Sequence, residues 1–331
     1  MTKNDYILPM KKNRRILFLI YEGFELLDMS GPMAVFSATN SLSGQDIYQI
    51  EVISPDGGLV RSMSGAEVLS SPLGETIVSA DDTLLVVGAL KADLIRACAD
   101  KVMKQWLRDA ARTAERFGSI CTGAFVLASA GLLSGKRATT HWSGCRQLET
   151  LYPSVSLQPD ALYIVDGRVW TSAGVTTGID MALAVIASDL GTPVMGQIAR
   201  QLIVYAHRPG NQSQFSMLLG AQIAAAGVFS DVVARVQNQL ENPIKVGDLA
   251  EIAGMSERTF YRKFTDHMGL TPSKFIESAR LEKAKELLEA NVAVKTVVHA
   301  VGFKSEAGFR SAFEAKYAVT PSLHRLIHGQ N

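Results

Sequence analysis

Cysteine is scarce in this chain. Three in 331 residues, none spaced as C-x-x-C, exclude a disulfide framework and a cysteine zinc site. Neither a metal nor a cofactor is expected. Long apolar runs are missing too: ILFLI, MALAVIA and FVLASAGLL fall far short of the roughly 18–20 residues that a membrane helix needs. The opening stretch MTKNDYILPMKKNRR is basic but has no apolar region behind it, so it does not read as a signal peptide. An excess of charge is lacking as well. With 33 Lys and Arg against 32 Asp and Glu, the formal net charge is +1, which gives no global attraction to nucleic acid or membrane. A cytoplasmic protein without a membrane partner is expected, and any DNA binding must come from a local surface.

What is present is ordinary globular material, 47% hydrophobic, in a length that suits about two domains of roughly 150 residues. From Arg14 to about Tyr205, apolar strand-like runs alternate with helical stretches, the signature of an α/β layer fold. RRILFLI reads as a buried strand, YQIEVIS (48–54) alternates, and DTLLVVG (82–88) suits a strand covered on both faces. In YIVDGRVWTSAG (163–174), Asp166-Gly167 between two β-rich runs predicts a hairpin. TTGIDMALAVIASDLG (176–191) predicts a helix with Gly191 as its stop. Around YAHRPGNQSQFS the texture changes to linker residues. Beyond about Val228 every apolar pattern is helical. The expected domains are therefore residues 14–209 and 228–328, with a linker at 210–227. Residues 228–331 carry 14 Lys and Arg against 12 Asp and Glu, a sign that suits a DNA-facing module.

The helical part repeats one grammar. In VGDLAEIAGMSERTFYRKFTDHMG (246–269), a helix with small Ala250 ends at Gly254. Ser256 then stands where an N-cap belongs, and Phe260 and Phe264 share one face at i and i+4. The opposite face carries Arg258, Tyr261, Arg262 and Lys263. VAVKTVVHAVGFKSEAGFRSAFEAKYAVTP (292–321) repeats the pattern with Gly302, Ser305, Phe309 and Phe313. Two such helix-turn-helix units on one connecting helix would set recognition helices into successive major grooves, roughly 34 Å apart. Residues 228–328 resemble an AraC-type DNA-binding domain, including GLTPSKFIESARLEKAKELL between the units and the closing TPSLHR, where His324 replaces the usual tyrosine. The resemblance implies DNA contacts from Arg258, Tyr261, Arg262 and Lys263 in the first unit. In the second it implies Lys304, Glu306, Ala307, Arg310 and Ser311. Arg suits guanine and Glu suits cytosine, while Lys263 and Lys304 suit phosphate.

In ERFGSICTGAFVLASAGLLSG (115–135) a strand, a turn at Cys121 and a helix of small residues suit a nucleophile elbow, with Ser119 and Gly123 small enough for the bend. The following helix N-terminus is expected to favour a thiolate. The bland alternative is a buried structural cysteine. With YEGFELLDMSGPMAVFSAT, RATTHW and TSAGVTTGIDMALAVIASDLG, this stretch resembles the PfpI-like branch of the class I glutamine-amidotransferase-like fold. The fold expected is thus α/β, a flavodoxin-like layered sheet followed by an all-α domain. The whole chain after about Arg14 resembles the GlxA group of regulators, which join that fold to an AraC-type domain.

The resemblance places Asp28 beside Cys121, as in the Asp–Cys pair of isonitrile hydratases, with His141 nearby and Gly88 and Thr122 around the same pocket. Two departures count against catalysis. His141-Trp142-Ser143 lacks the Glu of a glutamine-amidotransferase triad. Gly88-Ala89 replaces the Gly-Gly pair that supplies oxyanion-hole amides, and losing one such donor costs about two to three orders of magnitude in rate. The leading expectation is a promoter-binding regulator, controlled by a small nitrogenous metabolite (arginine, carnitine or glycine betaine in group members). It is expected to act as a homodimer, with RNA polymerase as a partner if it activates. The competing reading is a cysteine-dependent hydratase or amidase with a tethered DNA-binding domain. A third is a thiol redox sensor with Cys145 resolving Cys121.

Overall fold

The computed structural model describes residues 13–204, 207–210, 214, 228–268, 270–317 and 319–329. The chain divides into two compact units, Met1–Gln212 and Ser213–Asn331. The first begins with β1 (Arg14–Leu19), α1 (Leu26–Ser43), β2 (Tyr48–Ser54), β3 (Gly58–Arg61), β4 (Glu67–Pro72) and β5 (Thr83–Val86). Helices α2 (Lys91–Ala99) and α3 (Lys101–Thr113) lead to β6 (Arg116–Ile120) and α4 (Gly123–Ser129). After β7 (Arg137–Ala138), α5 (Cys145–Leu151) and β8 (Ser156–Leu157) come β9 (Tyr163–Asp166), β10 (Val169–Ser172), α6 (Thr177–Leu190) and α7 (Thr192–Gln201).

The main sheet has the order β3-β4-β2-β1-β5-β6-β10-β9, parallel except for its two outermost strands. Every residue of β5, β6 and β10 is buried, as expected for strands covered on both faces. Alternation sorts side chains to the two faces. Leu17, Leu19, Leu84 and Val86 meet Met103, Leu107 and Phe125, whereas Ile16, Phe18, Leu85 and Val87 meet Val35, Phe36, Met181 and Ile198. The strands expected at 48–54 and within 14–20 and 82–88 are present, and the Asp166-Gly167 hairpin forms with Gly167 at φ +62°. At the amino ends of the parallel strands, Asp189 of α6 accepts from both terminal nitrogens of Arg116 (2.6 and 3.0 Å) and from the Tyr48 hydroxyl (2.9 Å). That buried, charge-assisted cluster fixes the far end of α6 to the sheet.

The second unit holds α8 (Ser230–Asn238), α9 (Val246–Ile252), α10 (Glu257–Met268), α11 (Pro272–Glu289), α12 (Val294–Ala300), α13 (Glu306–Tyr317) and α14 (Pro321–His328). No strand occurs among its described residues. Two cores divide it. Phe260, Phe264 and Ala250 pack with Phe229 and Phe275, and Phe309 and Phe313 pack with Leu281, Leu288 and Val298. Helix α11 contributes to both, so one rod carries both helix-turn-helix units. Of the linker expected at 210–227, only Gly210 and Gln214 are among the described residues; the rest lies outside them.

Candidate functional site

The order of the sheet reverses between β1 and β5, and in open α/β sheets a crevice opens at such a switch point beyond the carboxyl ends of the strands. Here a cavity of about 520 Å³ lies there, lined by Glu25 after β1, Ala89 to Lys91 after β5, Cys121 and Thr122 after β6, and Val175 after β10. His141 reaches it from the segment after β7, and Leu94, Ile95, Phe125 and Tyr152 make most of its wall apolar.

Cys121 adopts φ +58°, a left-handed conformation that a side chain rarely holds unless its surroundings impose it. The elbow inferred from the sequence is therefore a real bend. Space for it comes from neighbouring glycines. A Cβ on Gly174 would stand 2.8 Å from the Cys121 sulfur, and one on Gly88 would stand 2.8 Å from both Cys121 Cβ and Asp28 Oδ2.

Asp28, in the first turn of α1, is fully buried immediately behind the cavity wall. Its Oδ1 accepts from the Val175 amide at 2.6 Å and its Oδ2 from the Gly88 amide at 3.2 Å, and it also bonds to the Cys121 thiol. Burial outweighs these donors and raises its pKa to about 6. Burial, then the Asp28 charge, push the Cys121 thiol far above its ordinary range, while a bond from the Thr122 amide works the other way. The expectation that the helix N-terminus would favour a thiolate is corrected here: α4 has only 7 residues, and desolvation beside a carboxylate dominates.

The loop after β5 is equally telling. Gly88 gives its amide to Asp28, and its carbonyl accepts from the Glu25 amide at 2.8 Å. The Ala89 amide donates to Thr122 Oγ1 at 3.0 Å, and the same hydroxyl donates back to the Ala89 carbonyl at 3.0 Å. Both amides that would line an oxyanion hole from this loop are thus committed. His141 shares a 2.8 Å bond between Nδ1 and Ser143 Oγ, and burial pushes its pKa below the ordinary imidazole value. Cys145 points elsewhere, its sulfur 3.6–3.8 Å from the carbonyls of Thr140, His141 and Pro159. The thiol that shares the cavity with Cys121 is Cys98. No local signal marks Cys98 for that cavity, nor Val175 for its left-handed backbone at φ +52°.

In the second unit, Arg258, Tyr261, Arg262 and Lys263 are all exposed on α10, opposite the buried Phe260 and Phe264. Lys304, Glu306, Ala307, Arg310 and Ser311 are exposed in and before α13, opposite Phe309 and Phe313, and Arg310 Nε is held by Glu314 at 2.8 Å. Ser305 Oγ accepts from the Gly308 amide at 3.1 Å, capping α13, and Ser256 meets the Thr259 amide at 3.4 Å in the same way. His324 is buried against Phe313 and Tyr317, with Nε2 3.3 Å from Glu289, so it packs the last helix. Among the described residues, no three His, Cys, Asp or Glu side chains converge as metal ligands, and no helix is long and apolar enough to cross a membrane.

Residues 14–188 match the DJ-1/PfpI family, and residues 249–326 match a helix-turn-helix domain. The chain is 32% identical over 311 residues to the HTH-type transcriptional regulator CdhR of Pseudomonas aeruginosa, covering 94% of this chain and 91% of that one. It is 30% identical over 324 residues to the HTH-type transcriptional regulator GlxA of Rhizobium meliloti, covering 96% and 97%. The isonitrile hydratase of Pseudomonas putida is 31% identical over 196 residues, which span 59% of this chain and 80% of the enzyme. A THiJ/PfpI family protein from Pseudomonas syringae shares the fold, with a TM-score of 0.57 at 22% identity, covering 77% of this chain and 96% of that one.

Proposed function

Because the chain belongs to the DJ-1/PfpI family and, over nearly its whole length, to the helix-turn-helix regulators of the GlxA type, we propose that it is a ligand-responsive transcriptional regulator. The first unit, residues 14–209 in this reading, takes a small molecule into the cavity beside Cys121, Asp28, His141, Gly88 and Thr122. The second, residues 228–328, binds promoter DNA through Arg258, Tyr261, Arg262 and Lys263, and through Lys304, Glu306, Ala307, Arg310 and Ser311. Occupancy of the cavity shifts the population of DNA-competent arrangements. The effector is a small nitrogenous metabolite, and the protein works in the cytoplasm as a homodimer, with RNA polymerase as its partner where it activates.

One observation carries the choice of sensing over catalysis: the Gly88 and Ala89 amides, at the positions of the pair that supplies an oxyanion hole in the resembling enzymes, are already hydrogen-bonded within the protein. A neutral thiol beside them points the same way. The test is a thermal-shift screen of the full chain against nitrogenous metabolites. A ligand at a hundred times its Kd adds about 2.7 kcal/mol to the stability of the native state. That stabilisation is expected to shrink in Cys121→Ala, and a library that never shifts the native chain contradicts the sensing role.

A second reading is favoured by the buried Asp28–Cys121 pair and the similarity to an isonitrile hydratase: a cysteine-dependent hydratase or amidase tethered to a DNA-binding domain. It requires turnover of an isonitrile or amide that disappears in both Cys121→Ser and Asp28→Ala. Absence of turnover in the native chain ends it.

A further inference from the structure

We propose that Arg208, at the root of the linker, is a positioning residue of the sensing site. Its contacts with Thr176 and Asp180 read the turn Gly174–Thr176, whose other side is the cavity wall, and so tie the segment 207–210 to the state of the cavity. This rests on the reading of that cavity as the effector site.

The turn has two sides. Toward the cavity, Gly174 lies against Cys121, Val175 lines the wall, and the Val175 amide is held by Asp28 Oδ1 at 2.6 Å. Val175 is β-branched and sits at φ +52°, a conformation that persists only while such contacts impose it. On the other side, the Thr176 hydroxyl accepts from Arg208 Nη2 at 2.9 Å. The same guanidinium forks onto Asp180 Oδ2, with Nε at 2.9 Å and Nη2 at 2.6 Å, and the Arg208 amide donates to Asp180 Oδ1 at 2.9 Å. The Asp180 side chain is only 3% exposed, so this pair is buried at one end and fixed by several bonds. His207 Nε2 lies 3.2 Å from the Asp180 carbonyl, and the Gly210 carbonyl accepts from the amides of Leu162 and Tyr163 at the edge strand β9.

Helix α6 is anchored at its far end through Asp189, so a change at its start falls on the turn rather than on the whole helix. An occupant that competes for Asp28 or presses on Val175 releases the left-handed residue. Thr176, its neighbour, then moves away from the guanidinium, and the segment 207–210 loses one of its holds. The turn is the two-state element, and both the cavity and Arg208 bias it.

Hydrogen exchange on the full chain tests this without effector or DNA. Asp28→Asn removes one acceptor from the cavity wall at nearly constant volume. It is expected to speed exchange at the Leu162 and Tyr163 amides by about tenfold, with Leu17 and Phe18 in the middle of the sheet unchanged. Arg208→Gln alone should give the same rise, and the double variant no more than either single one. In Val175→Gly, where the left-handed conformation carries no strain, Asp28→Asn should raise exchange by less than about threefold. Additive effects in the double variant, no rise at Leu162 and Tyr163 in Asp28→Asn, an undiminished rise in Val175→Gly, or an equal rise at Leu17 and Phe18 overturns the proposal. Failure here leaves the sensing role intact, and failure of the ligand screen leaves this coupling intact.

Discussion

Asp28 is held by two amide donors and a thiol, yet it binds its proton more tightly than an ordinary carboxyl, with a pKa near 6, because it is cut off from water. A carboxyl raised in the folded state contributes stability that is complete below the unfolded value of about 3.8 and is lost as pH rises through 6. Two units correspond to about 3 kcal/mol. The difference in unfolding free energy between the native chain and Asp28→Asn is therefore expected to shift by about that amount in favour of the Asn variant from pH 4 to 7, measured by urea unfolding. Cys121 feels the same carboxylate. Its alkylation by iodoacetamide, followed by peptide mass spectrometry at pH 8, is expected to be slow and to rise about tenfold in Asp28→Asn, because removing the neighbouring charge brings the thiol down. A fast native thiol would favour the redox reading instead.

Among the elements, the two helix-turn-helix units use the same turn glycine in different surroundings. Gly254 sits at φ +64° with open space where a Cβ would be. Gly302 sits at φ +72°, and a Cβ there would lie 2.2 Å from the Leu240 carbonyl oxygen. Gly254→Ala is expected to cost about 1–2 kcal/mol for the left-handed backbone alone. Gly302→Ala adds a collision with main chain and should lower the thermal midpoint of the helical unit more, as followed by circular dichroism. Much of this architecture was legible in the sequence because its signals are local: a turn glycine, a serine cap three residues from its amide, aromatics at i and i+4, continuous apolar runs for the parallel strands. The cysteine elbow was legible for the same reason. What was not legible joins distant positions. Asp28 and Val175 lie 147 residues apart, and Asp180 and Arg208 lie 28 apart with no periodicity between them. Nor does any local signal mark a valine for a left-handed turn, since only the packing around Cys121 imposes it.

For the whole molecule, a net charge of +1 means that binding to DNA depends on where its cations stand. Arg258, Arg262 and Lys263 are exposed together on α10, while Arg310 on α13 is shared with Glu314. The first helix-turn-helix unit is therefore expected to supply most of the electrostatic grip. Affinity for a promoter fragment selected with the full chain should fall steeply with salt, and Arg262→Ala should cost about 1–3 kcal/mol. Arg310→Ala should cost less, and fluorescence anisotropy at several ionic strengths distinguishes the two. The position of Trp142 has an optical consequence. Its ring lies 5.4 Å from that of His141, a residue of the cavity wall, at 39°, and is about half exposed. Trp170, by contrast, is buried with Arg116 5.8 Å from its ring. An indole so close to an imidazole changes its emission when that ring gains a proton or is displaced, and a deeply enclosed indole does not. The chain thus carries its own fluorophore beside an imidazole of its cavity wall, so an occupant that displaces that ring can be followed by light without any label.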